Sequence, residues 1–121
     1  MSQAMLYIED NESNISLVEV LLKRRPQIEL HVAMTGRDGV QAALDKRPEL
    51  ILLDNRLPDA TGAEILRELA SAGATAEIPV VMLSCDSDEI LDELLASGAT
   101  ESVGKPFDVH EFMGIIDRYL P

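Results

Sequence analysis

The chain alternates short apolar runs with longer segments in which apolar residues recur every three or four positions. The runs are Ala4-Met5-Leu6-Tyr7-Ile8, Ile28-Glu29-Leu30-His31-Val32, Leu50-Ile51-Leu52-Leu53, Val80-Val81-Met82-Leu83, and a short one from Ala99 to Val103. Between them, Ile15, Val18, Leu21 and Leu22 share one helical face, as do Val40, Ala43 and Leu44, then Ile65, Leu66 and Leu69. Ile90, Leu91, Leu94 and Leu95 form a fourth stripe, and Val109, Phe112, Met113, Ile116 and Leu120 a fifth. Pro26 and Pro48 break the chain after the first two helical stretches. Asp108 with Glu111 three residues later predicts the start of the last one. Strands that alternate with helices predict an α/β domain built on a doubly wound, five-stranded parallel sheet.

The runs also differ from one another. The first, third and fourth are almost wholly apolar, as strands covered on both faces must be. The second alternates, which turns Glu29 and His31 outward, and the fifth is short and polar. The second and fifth are therefore the expected edges, and the expected order is 2-1-3-4-5, with the switch point between strands one and three. Residues 1–121 form one domain, long enough for a single core.

That order gives meaning to the polar residues that close the runs. In an open parallel sheet, ligands bind outside the carboxyl ends of the strands. Glu9 and Asp10 follow the first run, Asp54 the third, Ser84 the fourth, and Lys105-Pro106 the fifth. Three acids, a hydroxyl and an ammonium thus converge. A like-charged pair at ~4 Å costs about 4 kcal/mol at an effective dielectric of roughly 20. Such a cluster is kept when a cation neutralises it or a proton is shared. Mg2+ suits oxygen ligands of this kind and combines one or two carboxylates with phosphate oxygens. Asp54 could then attack a phosphoryl donor, with the cation and Lys105 stabilising the transferring oxygens and Ser84 donating to the product phosphoryl. Singly, each residue has a plainer reading: a loop start for Glu9-Asp10, a turn for Asp54, a helix cap for Ser84, a Gly-Lys-Pro turn for Lys105. The placement of each at the end of a different strand is what distinguishes the set.

Composition narrows the field. With 22 acidic and 10 basic residues the net charge is −12, which opposes direct contact with nucleic acid. No apolar run approaches the ~20 residues of a membrane span, and the N-terminus lacks the pattern of a secretory signal. A single cysteine, Cys85, forms no internal disulfide and suits a reducing cytoplasm. His31 and His110 have no second ligand at metal spacing and are expected at the surface. Gly98 to Lys105 is one residue too long for a P-loop, and Pro106 stands where Ser or Thr is needed.

Four segments carry a family resemblance: Tyr7-Ile8-Glu9-Asp10-Asn11, Leu50 to Gly62, Ile78 to Ser84, and Gly104-Lys105-Pro106-Phe107. Together they resemble the CheY-like response-regulator receiver domain of two-component signalling, over nearly the whole chain. The first and third strands are most similar to receivers of hybrid histidine kinases. The resemblance implies a flavodoxin-like (βα)5 fold and makes Asp54 the phosphoacceptor. It implies that Asp10 ligates Mg2+ directly and Glu9 through water, with Asp54 and the backbone carbonyl of Arg56 completing the protein ligands. Ser84 and Lys105 fill the family's hydroxyl and lysine positions, and the Lys105-Pro106 bond is expected to be cis. The implied donor is a sensor histidine kinase or a histidine phosphotransfer protein, the implied output a downstream target protein, and no external substrate is turned over.

One departure stands out. Three residues before the lysine the family carries Tyr or Phe, and this chain has Ser102. Without that aromatic switch, a phosphorylation-independent interaction module is the alternative. A phosphatase with an aspartyl intermediate ranks last, because Asp54-Asn55-Arg56 lacks a second acid and follows the third strand. Arg56 and Asp86 each lie two positions beyond a pocket residue and carry opposite charges. They are expected to pair as a lid that slows dephosphorylation, against the plainer reading of two solvated side chains.

Overall fold

The computed structural model describes residues 3–84, 95–96, 98–104 and 108–121. Its strands are β1 (Gln3–Ile8), β2 (Ile28–Ala33), β3 (Leu50–Asp54), β4 (Val80–Ser84) and β5 (Glu101–Gly104). Among the described residues the helices are α1 (Glu12–Leu22), α2 (Gly36–Lys46), α3 (Gly62–Ser71) and α4 (Val109–Tyr119). All strand pairs are parallel, in the order β2-β1-β3-β4-β5. The edges and centre are those expected from the run compositions. Of the remaining apolar stripe, Ile90, Leu91 and Leu94 lie outside the described residues, and Leu95 is helical and exposed.

Alternation along the central strands feeds two cores. Tyr7, Leu52 and Leu83 face Val18 and Leu22 of α1 and Phe112 and Ile116 of α4. Leu6, Ile8, Leu53 and Met82 face Ala43 of α2 and Ile65 and Leu69 of α3. Residues 5–8 of β1, all of β3 and residues 80–83 of β4 are buried whichever way they point, which is why these runs carry no polar alternation. Each helix starts on a polar cap. Asn11, Thr35, Thr61 and Asp108 accept from backbone N–H groups two or three residues on, and so satisfy donors that a first turn leaves without partners.

Two expectations need correction. His31 does not turn out to solvent; it is half-buried, with Nε2 3.7 Å from Glu29. It pairs in register with Leu6, on the sheet face that α2 covers, so both faces of this edge strand are partly occupied. Val32, on the other face, is 40% exposed instead. In α2, Val40 and Leu44 are only half-buried, and the helix packs through Gly36, Gly39 and Ala43. A Cβ on Gly39 would lie 2.6 Å from Ile8 Cδ1, so bare backbone sets how closely α2 approaches the sheet. No helix among the described residues is long and apolar enough to cross a membrane.

Candidate acidic site at the carboxyl edge of the sheet

Register places the acids together. Ile8 and Leu53 are partners, so Glu9 and Asp54 both stand one step beyond that pair, on adjacent strands. The Glu9 N–H donates to Ala33 O at 2.9 Å, which extends the β1–β2 ladder by one residue and aims Glu9 inward. Glu9 is completely buried, Asp54 is 8% exposed, and Asp10 is open to solvent. One carboxylate oxygen from each of the three lies within 4.8 Å of the other two. The side-chain amide of Asn14, in the first turn of α1, donates to Glu9 Oε1.

The loop after Asp54 is folded tightly over it. Arg56 N–H donates to Asp54 Oδ1 at 3.4 Å, and an isolated antiparallel bridge joins Arg56 to Thr61. Gly62 N–H donates to Asn55 O at 2.8 Å. A Cβ on Gly62 would come 3.1 Å from Asn55 Cα and 2.6 Å from Met82 Cε, so α3 starts this close to the end of β3 on a residue without a side chain. Asp59, from the same loop, accepts from Gly36 N at 2.7 Å and Arg37 N at 3.0 Å at the start of α2. These two backbone donors hold its carboxyl below the usual carboxylate range.

Below the acids lies Tyr7. It is fully buried, and among the described residues its hydroxyl has no hydrogen-bond partner. Burial first, then the negative charges of Glu9 and Asp54, push its phenol well above the ordinary range.

The donor set fits a hard cation. Oxygens around an octahedral Mg2+ at ~2.1 Å lie about 3 Å apart when adjacent and about 4 Å when opposite, so carboxylates within this spread can bind directly or through one water. Ser84 is the last residue of β4, paired with Gly104 of β5, at the same edge as Asp54. Lys105, Pro106, Cys85 and Asp86 lie outside the described residues, and with them the cis bond and the Arg56–Asp86 lid. Arg56 is exposed; Ser102 is half-buried opposite Met82. Asn14 is a contact of the pocket that no quoted motif marks. The one sequence signal was an amide at the third helical position of α1, where a capping box places Glu or Gln.

The response regulator receiver domain family matches residues 5–117. The chain is 28% identical over 121 residues to the polar-differentiation response regulator DivK of Brucella anthropi, across 99% of this chain and 98% of that protein. In structure it is similar to the receiver domain of the sensor histidine kinase PA1611 from Pseudomonas aeruginosa PAO1, which has a magnesium ion coordinated in its active site cleft. That likeness has a TM-score of 0.88 at 27% identity and covers 98% of each chain. It is also similar to the chemotaxis response regulator CheY4 of Vibrio cholerae, with a TM-score of 0.89 at 26% identity over 99% of this chain and all of that one. Sheet order, acid cluster and matched length agree: the chain belongs to the response regulator receiver domain family of two-component signalling.

Proposed function

We propose that this domain is a phosphorylation-dependent switch. Asp54 takes a phosphoryl group from the phosphohistidine of a sensor histidine kinase or a histidine phosphotransfer protein, and the modified domain changes its preference for a downstream target. The observation that carries this reading is the convergence of Glu9, Asp10 and a recessed Asp54 within 4.8 Å at the carboxyl edge of the sheet.

In the transfer, an Asp54 carboxylate oxygen attacks phosphorus, the phosphorus–nitrogen bond breaks, and the imidazole leaves with its electron pair and takes up a proton. The Arg56 N–H steadies the Asp54 carboxylate from the loop. Glu9, Asp10, Asp54 and the Arg56 carbonyl would hold Mg2+, which supplies charge neutralisation for phosphoryl oxygens. By the family resemblance, Lys105 and Ser84 would contact the same oxygens. A phosphoryl group adds negative charge and three strong acceptors at one point, enough to bias a bistable element. On this basis the domain works in the cytoplasm and turns over no external substrate.

Mass measurement after incubation with acetyl phosphate and Mg2+ tests the chemistry. The wild-type chain gains one phosphoryl mass, and Asp54→Asn gains none. Beryllofluoride with Mg2+ tests the switch, since amide shifts should extend beyond the pocket. An unmodified wild-type chain, or shifts confined to the pocket, would favour an interaction module that needs no phosphorylation.

A further inference from the structure

We propose that Asn14 is a positioning residue for the cation site: it fixes the Glu9 carboxylate where a magnesium ion needs it. This rests on the reading of the acidic pocket given above. Glutamate has one more methylene and one more rotatable bond than aspartate, so a glutamate in the pocket needs something to select one rotamer. Glu9 is completely buried, and the Asn14 side-chain amide donates to its Oε1.

Asn14 is itself held. Its backbone N–H donates to Asn11 Oδ1 at 3.1 Å, and Ile15 N–H donates to Asn11 O at 3.1 Å, so a closed first turn of α1 presents the amide to Glu9. The donor is neutral. A lysine or arginine in its place would fix Glu9 equally well but would put a positive charge beside the ion. An amide directs the carboxylate and leaves the negative charge of the pocket to the cation. Partners of this kind around metal ligands typically change affinity by 10–100-fold.

The test is a double-mutant cycle of Mg2+ affinity, measured by calorimetry on the whole chain, with thermal unfolding in EDTA as the control for α1. Asn14→Ala should weaken Mg2+ binding about 10-fold, at the lower end of that range. In a Glu9→Asp background, where the shorter carboxylate draws back from the amide, adding Asn14→Ala should change Mg2+ affinity by less than about 2-fold. Equal Mg2+ affinity in wild type and Asn14→Ala would overturn the proposal and leave Asn14 with a role in α1 alone. A loss of the same size in both backgrounds would overturn it as well. A folded wild-type chain that binds no Mg2+ would overturn the pocket reading and this proposal together.

Discussion

The two ends of the sheet treat carboxylates in opposite ways. At the end where the strands begin, acids meet cations. Arg25, just past α1, donates to both oxygens of Asp117 on α4 at 3.0 and 3.1 Å. Arg118 donates to both oxygens of Glu101 at 2.6 Å, and the Tyr119 hydroxyl donates to the same group. Those donors hold Asp117 and Glu101 below the usual carboxylate range. At the end where the strands finish, Glu9, Asp10 and Asp54 share one hollow. One end ties helices down through ion pairs; the other gathers three carboxylates within 4.8 Å of one another. The difference separates residues that serve the fold from residues that serve a ligand.

Three experiments sharpen the contrast. The largest effect is expected from Asp54→Asn in EDTA. Removing one of three like charges should raise unfolding stability by about 1–3 kcal/mol, read from urea midpoints at constant slope. A loss of stability would show that the acidic end, too, is arranged for the fold. Tyr7→Phe comes next. Its hydroxyl is buried without a partner among the described residues, so its removal forfeits no hydrogen bond there and should stabilise by up to about 1 kcal/mol. Destabilisation by more than that would mean that the hydroxyl is satisfied in solution. The smallest effect is expected at the opposite end. Asp117 is held low by Arg25, so the unfolded chain binds protons there first as the pH drops. Its contribution is complete above the ordinary aspartate range near ~4 and disappears as the pH falls through its lower folded value. Asp117→Asn should therefore flatten this part of the acid limb of a stability–pH curve, lower neutral-pH stability slightly, and leave Mg2+ affinity unchanged.

Much of the fold was legible because burial on both faces writes itself as unbroken apolar runs. The α1 and α3 stripes were legible for the same reason: Ile15, Val18, Leu21, Leu22, Ile65, Leu66 and Leu69 are all buried. What escaped was packing without hydrophobicity. Gly36 and Gly39 bring α2 onto its neighbours by having no side chain, and periodicity does not register an absent group. In α4 the stripe is rotated, with Val109 38% exposed and Ile115 buried, because Val109 sits in the first turn, at the helix edge. Of the pocket, the acids were legible from their place at strand ends. Asn14 was not, because it acts on Glu9 from α1 through a hydrogen bond that spacing along the chain does not reveal.

Between Glu9 and Asp54 the chain leaves the sheet centre, builds α1, β2 and α2, and returns to lie beside its own starting strand. No contiguous segment contains the whole pocket: Glu9 and Asp10 are neighbours, but Asp54 comes from another strand. An ion that settles among these carboxylates therefore recognises the finished topology and nothing less, and by mass action each increment of its concentration draws the whole domain, not one hairpin, towards the native state.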